Sequence, residues 1–256
     1  MTKGCDYMKH YKKNFKIYNL LFLICISLFL SACSGNSTTN TETNNTTSET
    51  EKIVTSTKTL PQQYEVIINN IINSYPWNDD ELTMVAENPD LTFMYRKSSS
   101  LSDVGFALID LDNNGQEELI ITDVNRPFIY DLYTISDGKA THLFDSGERY
   151  CYYIYENGYI KNQWSGSAAT NGNDFYKLEN GTLIFIERIT MDEYHALDIG
   201  LIKDISEADG NHFFKSKTTS VEDYKAITLE EYKNILESYE NTNKLLEIEY
   251  TLLSEY

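Results

Sequence analysis

An α+β fold, with an antiparallel β-meander between N-terminal and C-terminal helices, is predicted by three features of this 256-residue chain. Apolar residues recur at helical spacing near residue 64, and they do so again near residue 232. Between these segments, short runs of Val, Ile, Tyr and Phe are separated by Asp-Gly and Asn-Gly dipeptides. Such dipeptides supply the positive φ angles of tight hairpin turns. We therefore expect a sheet of about six to eight strands flanked by helices.

The first predicted helix lies between Pro61 and Pro76, because proline is tolerated in a first helical turn and stops a helix elsewhere. Its apolar residues recur at i, i+3, i+4, i+7, i+8 and i+11. They are Tyr64, Ile67, Ile68, Ile71, Ile72 and Tyr75. A second short helix is expected at 79–87, ending before Asn88-Pro89.

Strand-like runs with hairpin signals fill the middle of the chain. Turn dipeptides stand at Asp137-Gly138, Asn157-Gly158 and Asn180-Gly181. The predicted strands lie near 104–110, 117–123, 128–135, 139–145, 150–156, 159–164, 174–179 and 182–190.

A C-terminal helix is predicted because Thr228-Leu229-Glu230-Glu231 matches a capping box. Its expected buried face comprises Leu229, Tyr232, Ile235, Leu236 and Tyr239. The final apolar run, 245–253, is compatible with a helix end or an edge strand.

The N-terminus has the layout of a secretory signal. Lysines precede a 14-residue apolar run, Ile17–Leu30, which is shorter than the roughly 20 residues of a membrane span. The following Leu30-Ser31-Ala32-Cys33 resembles the lipobox of bacterial lipoproteins. That resemblance implies removal of a signal peptide, 1–32, and a lipid on Cys33 that anchors the chain to the outer face of a membrane. An uncleaved signal anchor and a buried core helix are the alternatives.

Residues 33–59 are rich in Ser, Thr and Asn and nearly free of large apolar side chains. Such a segment cannot bury enough apolar surface to offset its ordering entropy, so we expect a disordered tether. The remainder, 60–256, has the length of one α+β domain. Removal of 1–32 leaves two of the four cysteines, and a lipid would occupy Cys33. No intramolecular disulfide is therefore expected in the mature chain.

The formal net charge is −18. Such a charge argues against nucleic-acid binding through a general basic surface. It is compatible with cationic ligands or a divalent metal, and equally with an acidic surface that serves solubility alone.

One loop, at 110–118, carries a metal-binding pattern. Oxygen-bearing side chains occupy positions 1, 3, 5 and 9, and Gly115 at position 6 permits a sharp turn. Ca²⁺ takes six to eight oxygen ligands, which alternating side chains aim at one point. The predicted ligands are Asp110, Asp112, Asn114, the Gln116 carbonyl and Glu118. The alternative is a metal-free turn in which Asp110 and Asn114 accept backbone N–H groups.

The flanks of this loop differ from those of an EF-hand. Strand-like segments stand on both sides, and Ile121 occupies position 12, where a bidentate Glu belongs. The segment resembles the Asp-x-Asp-x-(Asp/Asn)-Gly loops of FG-GAP and related calcium-binding repeats. That resemblance implies Ca²⁺ binding. The pattern occurs once in this chain, so the resemblance implies the calcium-binding loop and not the propeller fold of those repeats.

Aromatic residues crowd the hairpin around Asn157-Gly158. Strand alternation places Tyr150 and Tyr152 on one face and Tyr153 and Tyr155 on the other. The first pair, together with Trp164, is a candidate platform for a glycan or peptide ligand. Core packing is the alternative for the same residues.

No catalytic or phosphate-binding motif stands out, and none of the histidines has zinc-site spacing. We therefore expect a lipid-anchored, calcium-stabilised, non-enzymatic domain that binds an envelope glycan or a protein. A cell-envelope hydrolase of glycan or peptide, with a site assembled only in three dimensions, is the alternative. The order of lipobox, linker, helix, calcium-like loop and tyrosine-rich meander also resembles a group of secreted lipoproteins of Gram-positive bacteria, and this resemblance implies no activity.

Overall fold

The structure is a computed structural model that describes residues 59–77, 92, 94–95, 98–240 and 244–256. The predicted signal peptide, Cys33 and nearly all of the tether lie outside the described residues, as does the helix predicted at 79–87. None of the helices within the described ranges is long and apolar enough to cross a membrane.

The described elements begin with a helix, continue as eight consecutive strands and end with short strands and two further helices. The helices are α1 (Gln62–Asn73), α2 (Glu193–Asp198) and α3 (Leu229–Glu240). The strands are β1 (Val104–Ile109), β2 (Glu118–Asp123), β3 (Ile129–Ser136), β4 (Lys139–Asp145), β5 (Tyr150–Ile154), β6 (Tyr159–Ser167), β7 (Thr170–Glu179), β8 (Thr182–Asp192), β9 (Phe213–Ser216), β10 (Lys225–Ile227) and β11 (Thr251–Leu252). Short 3₁₀ turns lie at Leu101–Asp103, Ile205–Glu207 and Val221–Asp223.

The strands form one antiparallel sheet in the order β10-β9-β8-β7-β6-β5-β3-β2-β1-β11. Strand β4 also pairs with β3 but lies outside this order. The β4 and β5 strands pair with different parts of β3, β5 through Ile129 and β4 through Asp131 onward. The predicted α+β fold with a β-meander is confirmed, and β1 to β8 correspond to the eight predicted strands.

The last third of the chain holds more strand than the sequence predicted. Strands β9 and β10 precede α3, and β11 pairs with the first strand through Gly105 and Leu252. The final run therefore ends as an edge strand. Short strands such as these gain their stability from pairing with distant segments, which local patterns do not reveal.

Two predicted hairpin turns have the expected backbone. Asp137 and Gly138 have φ of 51° and 73°, and Asn180 and Gly181 have φ of 50° and 70°. Positive φ at both central residues gives the twist that joins antiparallel strands in a two-residue turn. The third dipeptide places Gly158 at φ 81°.

A cluster of apolar side chains from the sheet forms the core, and helices α1 and α3 pack against the sheet. Seven apolar residues from β2 to β7 form the cluster: Ile120, Ile129, Leu132, Phe144, Ile154, Ile160 and Leu178. Helix α1 buries Tyr64, Ile67, Ile68 and Ile71, and the Tyr64 hydroxyl donates to the Tyr133 carbonyl at 3.3 Å.

Helix α3 packs on the sheet through two tyrosines. Tyr239 stacks on Phe175 with ring centroids 3.7 Å apart, and the Tyr232 ring lies 4.9 Å from that of Phe213. The Thr228 hydroxyl accepts the Glu231 N–H at 3.1 Å, as expected for the cap. Leu229, in the first turn and predicted to be buried, is 41% exposed.

Cys151 is buried in β5 and is disulfide-bonded. This differs from the expectation of no intramolecular disulfide. The expectation counted only the two cysteines that remain after removal of 1–32, whereas the full sequence has four. The partner of Cys151 lies outside the described residues.

Candidate functional site

The candidate metal-binding loop connects β1 to β2. Asp110 follows the last residue of β1, and Glu118 is the first residue of β2. Ile109 and Glu118 are cross-strand partners, so the two ends of the loop are held side by side. Asn113 at φ 58° and Gly115 at φ 88° reverse the chain between them.

Three of the five predicted ligand residues converge in this loop. One oxygen from each of Asp110, Asp112 and Glu118 lies within 4.8 Å of the others. Asn114 and the main-chain carbonyl of Gln116, the other two predicted ligands, stay predictions. Asn114 Oδ1 accepts the Gln116 N–H at 2.7 Å, and Gln116 Nε2 donates to the Ile135 carbonyl at 2.7 Å.

Backbone N–H groups also bind this loop's carboxylates. Asp110 accepts the Asn114 N–H at 3.0 Å and the Gly115 N–H at 2.9 Å. Asp112 Oδ1 accepts the Asn114 N–H at 3.2 Å. These are bonds that a metal-free turn would make. They also fix the carboxylates in one place, so they fit both alternatives for the loop.

Glu118 is fully buried, and its carboxylate accepts the Leu111 N–H at 3.0 Å and the Thr134 hydroxyl at 3.1 Å. The pKa of Glu118 is raised to about 7, chiefly by burial and also by the negative charges of Asp112 and Asp110. The two hydrogen bonds lower the same pKa. The raised value reflects the free energy needed to hold a third negative charge at this position. A bound divalent cation would offset the repulsion between this charge and the carboxylates of Asp110 and Asp112.

Two distant hairpin turns lie against the loop. Asp112 Oδ2 accepts the Gly181 N–H of the β7–β8 turn at 2.9 Å. Gly158, in the turn after β5, lies so near Leu111 that an added Cβ would stand 3.4 Å from its carbonyl oxygen. Together the three segments line a cleft of about 450 Å³. Local sequence patterns do not predict that the loop contacts these two turns, because the three segments are far apart in the chain.

No family model, no curated protein and no solved structure matches this chain. The residues themselves therefore carry the functional argument.

Of the three residues of the predicted aromatic platform, Tyr150 is exposed and Tyr152 and Trp164 are half-buried. Tyr150 is 39% exposed, and its Cα partner across β5 and β6 is Trp164. Trp164 is half-buried, donates from Nε1 to Asp174 Oδ1 at 3.0 Å and lies under the Arg188 guanidinium. Tyr152 stacks on Phe144 with ring centroids 3.9 Å apart. Tyr152 thus belongs with the core, and the platform stays a prediction for Tyr150 and Trp164.

Alanine at Tyr152 is expected to lower the free energy of unfolding by about 3–5 kcal/mol, because it removes a ring stacked in the core. Tyr150→Ala serves as the matched control and should cost less than about 2 kcal/mol, because its ring is partly in solvent. Urea denaturation of both variants measures the difference. Equal losses would contradict the assignment of Tyr152 to the core.

The histidines of the described residues contact carboxylates or pack against aromatic rings. His142 Nε2 lies 2.8 Å from the buried carboxylate of Asp131, and His212 Nδ1 lies 2.8 Å from that of Glu193. The His195 ring packs against Phe214 with centroids 4.7 Å apart. Asp209 joins Glu193 and His212 in a second group of ligand atoms within 4.8 Å, which the sequence did not reveal.

Proposed function

We propose that the chain is a lipid-anchored extracytoplasmic protein whose folded part binds one calcium ion in the 110–118 loop and serves as a non-enzymatic binding domain. The observation that carries the calcium site is the convergence of the Asp110, Asp112 and Glu118 oxygens within 4.8 Å. The lipid anchor is supported by the sequence at 30–33 alone.

Calcium suits this donor set better than a softer metal does. All three converging ligand atoms are carboxylate oxygens, which hard cations prefer. Thiolate and imidazole ligands, which favour zinc and copper, are missing from this group of side chains.

The calcium would be structural in part. Asp112 contacts both the cation position and the β7–β8 turn through Gly181. Neutralising the carboxylates would therefore stabilise the β1–β2 hairpin and its contact with a turn 69 residues away. An affinity of about 10⁻⁴–10⁻³ M is enough in an extracellular setting.

Calcium titration of the full-length chain by calorimetry tests this proposal. We expect one site with a dissociation constant of about 10⁻⁴–10⁻³ M. The double variant Asp110→Ala/Asp112→Ala should show no saturable binding, since two of the three carboxylates are gone. The matched control Asp198→Ala/Glu222→Ala removes two exposed acids outside the loop and should bind as the wild type does. Unchanged binding in the loop variant would make the site assignment wrong.

For the hydrolase alternative, no described histidine lines the cleft beside the 110–118 loop. Each described histidine contacts a carboxylate or an aromatic ring, and the buried acids Asp131 and Glu193 face His142 and His212. The calcium-binding domain is therefore the function that the geometry supports best.

A further inference from the structure

Four Asn-Gly dipeptides stand in the chain, and the structure places them in different surroundings. Because glycine has no side chain, its main-chain nitrogen approaches the preceding Asn side chain with little hindrance. Three of these Asn residues are exposed and lie in chain reversals, at Asn114, Asn157 and Asn180. The fourth dipeptide, Asn171-Gly172, lies inside β7, which pairs with β6 on one side and β8 on the other. The three reversals are therefore the places where the backbone has room to react.

An Asn-Gly pair rearranges without an enzyme, and Asn is among the thermolabile residues. The glycine main-chain nitrogen loses its proton to hydroxide and attacks Cγ of the Asn side chain. A C–N bond forms and closes a succinimide ring, and the side-chain nitrogen takes a proton from water and leaves as ammonia. Water then opens the ring at either carbonyl and gives aspartate or isoaspartate. Nothing is oxidised or reduced, and the product carries one more negative charge.

In two of the three reversals, the attacking nitrogen is bound to a carboxylate of the 110–118 loop. The Gly181 N–H donates to Asp112 Oδ2 at 2.9 Å, and the Gly115 N–H donates to Asp110 Oδ2 at 2.9 Å. A hydrogen bond to an ionised acceptor is about twice as strong as one between neutral groups. Deprotonation of either nitrogen would also place a second negative charge against the carboxylate. Both effects oppose the first step of the reaction in these two turns.

The turn after β5 differs in its acceptor. The Gly158 N–H donates to the neutral main-chain carbonyl of Tyr155 at 3.0 Å. The neighbouring Glu156 carboxylate lies 3.6 Å from Lys244 Nζ, which offsets its charge. Deprotonation of the attacking nitrogen therefore meets less opposition after Asn157 than in the other two turns.

We propose that Asn157 is the residue at which the folded protein deamidates, and that the loop carboxylates protect the other two turns from the same reaction. The product adds a negative charge beside Glu156, at the wall of the cleft that the three reversals form. Isoaspartate also adds a carbon atom to the main chain of this turn. The protection needs no bound cation, so the inference goes beyond the calcium site and stands apart from it.

The test is incubation of the full-length chain in mild detergent and mildly alkaline buffer with EDTA, followed by peptide mapping with mass spectrometry. Aspartate and isoaspartate are measured at each of the four dipeptides. A sample unfolded in guanidinium chloride gives the reference rate that each dipeptide has without the fold. Relative to those reference rates, we expect Asn114 and Asn180 to react about tenfold more slowly than Asn157 in the folded chain.

Two variants of unchanged side-chain size separate the effect of the carboxylates from a general loosening of the fold. Asp112→Asn should accelerate the reaction at Asn180 by about tenfold and leave Asn114 unchanged. Asp110→Asn should do the opposite. Each variant removes the charge from the acceptor of one glycine N–H only. Each variant thus serves as the matched control for the other.

The outcomes decide the two parts of the inference separately. Preferential reaction at Asn157, together with one accelerated turn in each variant, supports the inference. Equal relative rates at Asn157 and Asn180 in the folded wild type would overturn the assignment of the modification site. Acceleration of both protected turns by either variant would assign the protection to the rigidity of the fold and overturn the role of the carboxylates. That role would also fall if neither variant changed any rate.

Discussion

Replacing Asp174 with alanine is expected to lower the free energy of unfolding by about 3–5 kcal/mol, the usual cost of removing one partner from a buried ion pair. The Asp174 side chain is 4% exposed in β7 and receives two bonds from Arg188, each 2.7 Å long. It also accepts the Trp164 indole N–H at 3.0 Å. The alanine variant would leave a largely buried guanidinium and an indole N–H without their acceptor.

Chemical denaturation with urea measures this loss as a shift of the midpoint at constant slope. Asp198→Ala is the matched control, because it makes the same change at an exposed position at the end of α2. That control should change the free energy by less than about 0.5 kcal/mol. A loss below about 1 kcal/mol in Asp174→Ala would contradict the role given to this network.

The variant Cys33→Ala is expected to abolish lipid attachment completely, because the thiol is the proposed attachment point. Expressed in a bacterium with lipoprotein processing, the wild type should partition with the membrane, incorporate labelled fatty acid and lack residues 1–32. The alanine variant should carry no label and keep the longer N-terminus. A two-chain lipid at one cysteine is enough for stable anchoring.

Cys25→Ala is the control for this experiment, because it removes a cysteine from the apolar run that precedes Cys33 and should leave both label and size unchanged. The anchor proposal would be wrong if Cys33→Ala stayed in the membrane fraction at the wild-type size. It would also be wrong if the wild type took up no fatty acid.

The fold was predictable where the information is local. Helix α1 follows from the spacing of its isoleucines, and β1 to β8 follow from apolar runs bounded by turns such as Asn180-Gly181. Strands β9 to β11 were not predictable in the same way. They have four residues or fewer, and their pairing depends on distant partners such as Gly105 with Leu252.

The site was predictable in part for the same reason. The alternation of Asp110, Asp112 and Glu118 is a local pattern, and the structure brings these three together. The Asn114 side chain accepts the Gln116 N–H in the turn, a bond that fits a metal-free turn and a metal site alike. The contact from Gly181 and the cleft depend on how the sheet brings three hairpin ends together, and no local pattern contains that information.

The melting temperature of the full-length chain in EDTA, in calcium and in magnesium tests the calcium site most directly. At about pH 8, above the Glu118 pKa of about 7, the Glu118 carboxylate is ionised in most molecules. Calcium at about ten to a hundred times its dissociation constant should stabilise the fold by about 1.4–2.7 kcal/mol. This predicts a rise of about 3–10 °C for a domain of this size, with a smaller rise in magnesium. Equal melting temperatures in EDTA and calcium, or an equal rise in magnesium, would contradict a calcium site at Asp110, Asp112 and Glu118.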